Sequence, residues 1–325
     1  MKRKKSSGKK RVGLYRHKNA NGKVVSKDHK KSPVLDKIAR VREDAPKRER
    51  RSLHCVELFS GAGGLALAAS NAGFEHAAVL EYNPDACDTI RANQRRGHKL
   101  VSHWPLIEAD IHHQDFSEWH DRIDLVSGGP PCQPFSIGGK HRAMNDQRNL
   151  FPEAARVIRE IQPRAFVFEN VKGLTRQSFL KYFGYISLQL NYPGIVRHND
   201  ESWIDHLSRL ERIHTEGVKP EFHYHVVPPR VLNAADYGVP QKRERVFFVG
   251  FRSDIQIPWS FPRPTHSRES LLHSQWVTGE YWDRYKIASK NRPAPPLGYA
   301  QFENNGFLFT LSAERKPWRT VRDAI

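Results

Sequence analysis

The sequence predicts an α/β fold: a doubly wound, mostly parallel sheet. Three observations lead there. An apolar stretch, Leu53-His54-Cys55-Val56-Glu57-Leu58-Phe59, runs straight into the glycine turn Ser60-Gly61-Ala62-Gly63-Gly64 and then into helix formers from Leu65 to Ala72. Two later apolar strands each end on an acid, Glu81 and Asp110. A fourth, Ile123-Asp124-Leu125-Val126, stops at Gly128-Gly129-Pro130-Pro131, because proline cannot donate to a sheet ladder and glycine frees the backbone.

The first 51 residues are different in kind. They hold 20 Lys+Arg against 5 Asp+Glu, so most of the chain's net charge of +18 sits there and residues 52–325 carry only about +3. Such a like-charge block is predicted to be a disordered arm. Its chemistry suits phosphate contact with nucleic acid; a solubilising tail or a nuclear address would look the same. The remaining residues are enough to bury a sizeable core.

Three cysteines, Cys55, Cys87 and Cys132, show no CxxC or Cys/His pairing, which argues against a disulfide framework and structural zinc. The histidines from His98 to His120 lack ligand spacing, so no metal is expected. No run of eighteen apolar residues suggests a membrane span.

In chain order, the opening strand, turn and helix resemble a nucleotide-binding unit, although a GxGxxG pattern begun at Gly61 meets Ala66 at its last position. The second strand, Ala77–Leu80, ends on Glu81, 18 residues after Gly63, where a ribose-binding carboxylate is placed in such units. Tyr82 follows, able to stack on a base or cap the strand. Pro84 opens a helix over Asp85–Asn93. A third strand, Leu106–Ile111, contains Asp110, and no GxxxxGK[ST] phosphate loop is present. Then comes the proline-flanked Cys132, equally readable as a nucleophile or as an inert buried thiol. A helix over Pro152–Ile161 leads to the strand Ala165-Phe166-Val167-Phe168 and then Glu169-Asn170-Val171. Gln241-Lys242-Arg243-Glu244-Arg245 later runs into the strand Val246–Gly250.

The ordered set Phe59-Ser60-Gly61-Ala62-Gly63-Gly64, Glu81, Asp110, Pro131-Cys132-Gln133, Glu169-Asn170-Val171 and Gln241-x-Arg243-x-Arg245 closely resembles the DNA cytosine-5 methyltransferase family. The resemblance covers about residues 53–252. It implies the Rossmann-like sheet of S-adenosylmethionine-dependent methyltransferases and methyl transfer to C5 of a cytosine flipped out of double-stranded DNA. By resemblance, Cys132 attacks C6 of the base. Glu169 serves N3 and is expected to have a raised pKa, Arg245 contacts the base oxygen, and Arg243 supports the loop and nearby phosphates. S-adenosylmethionine would be held by Phe59, Gly61, Gly63, Glu81, Tyr82, Asp110, Ile111, Pro131 and Leu150. Gln133, Ser136, Asn170 and Gln241 would support the DNA or the loop. A bacterial restriction–modification enzyme is implied, cytoplasmic and nucleoid-associated, or nuclear in a eukaryote. An RNA cytosine-5 methyltransferase shares the same motifs, and a non-catalytic DNA-binding partner could keep the fold.

These readings divide the chain into the arm (1–51), a catalytic domain (52–254) and a connector or start of a target-recognition region (255–325). Residues 184–216 depart from the family pattern as a partly helical insertion of unread role. The recognition region and the last two family motifs are not found. The expectation is therefore one half of a split enzyme, with a second subunit carrying base recognition, or a truncated product, which alone binds DNA poorly and methylates weakly or not at all.

Overall fold

A computed structural model describes residues 51–131, 149–217, 220–296 and 315–325. The basic arm lies outside the described residues apart from Arg51. The described residues from Ser52 onward form one compact unit.

Among the described residues the main sheet has seven strands. β1 (Leu53–Leu58), β2 (Phe74–Glu81), β3 (Leu106–Glu108), β4 (Leu125–Gly128) and β5 (Ala165–Val171) are parallel. β7 (Glu244–Arg252) pairs antiparallel with β5, and β6 (Tyr224–Asn233) antiparallel with β7. The order is β3-β2-β1-β4-β5-β7-β6, so the chain reverses direction across the sheet between β1 and β4. Ligands of open α/β sheets bind at that crossover, beyond the strands' carboxyl ends.

Helix α1 (Gly64–Asn71) follows β1, and α2 (Pro84–Arg95) follows β2 with Pro84 in its first turn and Asn83 capping Ala86 N–H at 3.1 Å. α3 (Phe151–Ile161) buries Phe151, Ala154, Ala155, Val157, Ile158 and Ile161 against the sheet. α4 (Leu180–Asn191) packs beside it. The stretch 184–216 thus begins inside α4 and ends one residue past α5 (Trp203–Thr215), at its cap Glu216. Two hydrogen bonds join these helices' region: Tyr185 to His206 Nδ1 and Tyr192 to His214 Nδ1, each 2.8 Å. Beyond β7 lie α6 (Arg268–Trp276), α7 (Glu280–Arg284) and a two-residue parallel pair, β8 (His266–Ser267) with β9 (Lys316–Pro317).

Two differences from the sequence reading have clear causes. The third strand ends at Glu108 instead of Ile111. Asp110 turns its carboxylate onto His112 N–H at 3.0 Å and opens a 3-10 turn, Ile111–His113, because a short acid bonding its own backbone competes with the ladder. β6 has no counterpart in the sequence reading: Pro228-Pro229 argue against a strand. It forms as the sheet's edge, with the register slipping between Val227 and Arg230 to carry the prolines.

Candidate active site

The carboxyl ends of β1, β2, β4 and β5 converge on two cavities. The larger, about 1000 Å³, is lined by Phe59, Gly61, Leu80, Glu81, Tyr82, Asn83, Ala109, Asp110, Ile111, His112, His113, Gly129, Pro131, Asn149 and Leu150. The smaller, about 560 Å³, is lined by Glu57, Phe59, Ser60, Gly64, Leu65, Ala68, Gly129, Glu169, Leu232, Ala234, Tyr237, Arg243, Arg245 and Phe247. Phe59 and Gly129 line both.

The turn after β1 is wound tightly between them. Phe59 has φ +53°, a left-handed conformation that costs a non-glycine residue on the order of 1–3 kcal/mol. Gly61 and Gly63 continue it at φ +53° and +89°. Gly61 N–H donates to Glu81 Oε2 at 2.6 Å, and the other oxygen of Glu81 accepts from Tyr82 and Asn83 N–H at 3.0 and 2.8 Å. One carboxylate therefore joins the glycine turn to the end of β2. Gly63 lines neither cavity. A β-carbon there would lie 2.6 Å from Trp104 Cζ3, so its missing side chain makes room for packing. Tyr82 stands 71% exposed at the rim of the larger cavity.

Opposite, β5 and β7 present an acid and a base. Glu169 Oε1 lies 2.6 Å from Arg245 Nε. Gly129 lies beside this carboxylate: a β-carbon there would be in ordinary contact with Glu169 Oε2, at 3.5 Å. Arg245 Nη1 also donates to Glu244 O at 2.9 Å, and Glu244 holds Lys172 Nζ at 2.8 Å. Arg243 lies on the same cavity wall, its N–H bonded to Asn233 Oδ1 at 3.2 Å. Gln241 is exposed.

Cys132, Gln133 and Ser136 lie outside the described residues. The base of their segment is anchored on both sides. Buried Asn170 donates to Pro130 O at 2.9 Å, and Leu150 N–H to Pro131 O at 3.5 Å. Pro131, the last described residue before Cys132, lines the larger cavity, and Gly129, two residues earlier, lines both cavities.

One charged group was missed by sequence reasoning. Glu57 in β1 is fully buried, and one of its oxygens accepts from Ser127 Oγ on β4, while Oε1 has no partner. Burial pushes its carboxyl up to about 8, against the lowering influence of Ser127. A glutamate in a strand bordered by β2 and β4 could have been suspected, since a central parallel strand is buried on both faces. Cys55 on the same strand is a buried thiol pushed up to about 12, first by burial and then by Glu57. It is no nucleophile at neutral pH.

Residues 53–292 match the model of the family described as C-5 cytosine-specific DNA methylase. Among similar proteins, the Type II methyltransferase M.NgoMIV of Neisseria gonorrhoeae is 35% identical over 67% of this chain and 57% of its own length. M.PspPI of Psychrobacter sp. is 35% identical over 72% of this chain and 48% of its own length. M.AquIA of Picosynechococcus sp. is 37% identical over 71% of this chain and 84% of its own length. The chain thus spans about half the length of the first two relatives.

Proposed function

The chain belongs to the C-5 cytosine-specific DNA methylase family, and on that premise we propose that it transfers a methyl group from S-adenosylmethionine to C5 of a cytosine flipped from double-stranded DNA. The observation that carries this reading is the Glu169–Arg245 pair, set on a cavity wall beside the base of the Cys132 segment and sharing Phe59 and Gly129 with a second cavity.

The larger cavity fits an adenosine. Its volume is at the upper end of the range of small-molecule sites, and acids stand at two of its edges, Glu81 for ribose hydroxyls and Asp110 for an exocyclic amine. Phe59 and Tyr82 supply ring faces, and Ile111, Pro131 and Leu150 apolar walls. In the smaller cavity the unpartnered Glu57 oxygen suits an ammonium group, which would draw its proton off. Gly64, where a β-carbon would meet nothing within 4 Å, leaves room at the start of α1. When bound, S-adenosylmethionine supplies an electrophilic methyl on its sulfonium.

C5 of an aromatic cytosine is a poor nucleophile. Addition of the Cys132 thiolate to C6 breaks the conjugation and makes C5 enamine-like, able to take a methyl group; loss of the C5 proton and of the thiolate then restores the ring. Glu169 holds N3 as electron density moves into the ring, and Arg245 offers planar donors to the base oxygen. Arg243, on the same wall, supports the loop and nearby phosphates. Asn170 holds Pro130, two residues before Cys132 in the chain.

The test is covalent trapping on duplex DNA containing 5-fluorocytosine, where the absence of a C5 proton blocks release. A denaturation-resistant adduct is expected with the wild-type chain and none with Cys132→Ser. An adduct surviving in the serine variant overturns the Cys132 assignment. Capture of fluorinated transfer RNA in place of the duplex overturns the substrate.

A further inference from the structure

The turn that carries Asp110 and Ile111 lies beyond the sheet. The last ladder-like bond reaching it is Ala109 N–H to Glu81 O at 3.0 Å, and β3 has already ended. Its own bonds, His112 N–H to Asp110 Oδ1 and His113 N–H to Asp110 O, shape it but do not place it. The buried Ile111 side chain anchors it in the core, and a side chain 45 residues away ties down its backbone. Arg156, on α3, donates from Nη2 to Ile111 O at 2.6 Å and from Nη1 to Gln114 O at 3.4 Å.

Arg156 is itself fixed. Nε meets Glu153 Oε2 at 2.7 Å, Nη1 meets Glu160 Oε1 at 2.8 Å, and the guanidinium carbon sits 5.7 Å from the Phe116 ring centre. The other oxygen of Glu153 faces His112 Nδ1 at 3.5 Å, a second strut to the same turn. Only a guanidinium has donors aimed in enough directions to serve two carboxylates and two carbonyls at once. Helix α3 starts directly after Leu150, whose N–H closes the base of the Cys132 segment. One rigid helix therefore carries two walls of the larger cavity.

We propose that Arg156 is a positioning residue for the adenosine half of the methyl donor: it holds the Asp110–Ile111 wall at a fixed distance from the Pro131–Leu150 wall. This rests on the adenosine reading of the larger cavity. Arg156 touches no reacting atom.

The test uses the full chain and S-adenosylhomocysteine as the probe, with affinity measured by calorimetry and backbone exposure by hydrogen exchange. Arg156→Met should weaken binding tenfold or more, Arg156→Lys by less, and Arg159→Met, on the same helix, less than twofold. In Arg156→Met the amides of residues 111–114 should exchange faster while those of 154–161 keep wild-type protection. Unchanged affinity in Arg156→Met, or loss of protection along the whole of α3, overturns the proposal; the second result would mean general destabilisation. If the wild-type chain binds no probe, the cavity reading itself fails, and the exchange pattern still decides whether Arg156 holds the turn.

Discussion

Arg245 Nε lies 2.6 Å from Glu169 Oε1, and the two side chains come from adjacent antiparallel strands, where Val171 is the register partner of Arg245. The pairing places them two residues off direct opposition, on one face of the sheet. Each side chain is 25% exposed, so each is open to a ligand while leaning on the other.

The first prediction follows from that pair. Glu169→Gln removes the transferable proton and should lower methyl transfer by about 10²- to 10⁴-fold. Arg245→Lys keeps a charge but loses the planar fork, and should cost about 10²-fold. In the double variant the losses should fall short of adding, because each single change also strips the other residue of its partner. Initial rates with tritiated donor on duplex DNA measure all three.

Glu57 makes stability depend on pH in a defined direction. Its folded-state pKa, about 8, stands above its ordinary value of 4.5. Between those values the folded chain holds a proton that the unfolded chain has released, so this group's contribution to stability falls as pH rises from 4.5 to 8, then levels off. The span is on the order of a few kcal/mol. Glu57→Gln keeps the shape without the proton. The wild-type Tm minus the Glu57→Gln Tm should therefore decrease from pH 5 to pH 8. A difference that is flat or increasing across that range contradicts the assignment.

Glycines at the strand ends separate into two kinds. Gly128 is the register partner of Leu58, and a β-carbon on it would lie 2.4 Å from Leu58 O, a backbone atom that cannot step aside. Gly128→Ala should destabilise by about 1–3 kcal/mol, visible as a lowered Tm. A β-carbon on Gly64 meets nothing within 4 Å but projects from a residue lining the smaller cavity. Gly64→Ala should leave Tm within a few degrees of wild type and weaken donor binding in calorimetry.

The basic arm predicts a salt effect. Each phosphate neutralised adds about 0.9 to the slope of log affinity against log salt. With 20 Lys+Arg in residues 1–51, the full chain should show a steeper slope on duplex DNA than a chain beginning at Ser52. Equal slopes in fluorescence anisotropy would remove the arm from DNA contact.

Much of the site was legible because its signals are local. The glycine turn after β1, the acid ending β2 and the acid after β3 are each set by a few consecutive residues whose backbone preferences leave little choice. Glu169 and Arg245 were legible as members of an ordered motif set. Their contact was not, since 76 residues separate them in the chain. β6 escaped because two prolines outweigh its apolar residues unless an edge position is available, and only the assembled sheet supplies one.

The sequence by itself determined the doubly wound class, the turn of Phe59 to Gly64, the proline-stiffened approach to Cys132 and the concentration of positive charge in the first 51 residues. These depend on chain-local sterics and on composition. The tertiary structure alone decided that Glu57 is a buried acid with one oxygen unpartnered, that Asp110 caps a turn in place of ending a strand, that Gly63 serves Trp104, and that Arg156 reaches across 45 residues to hold Ile111. Burial, register and long-range hydrogen bonds depend on which distant segments meet, and local preference carries no record of that.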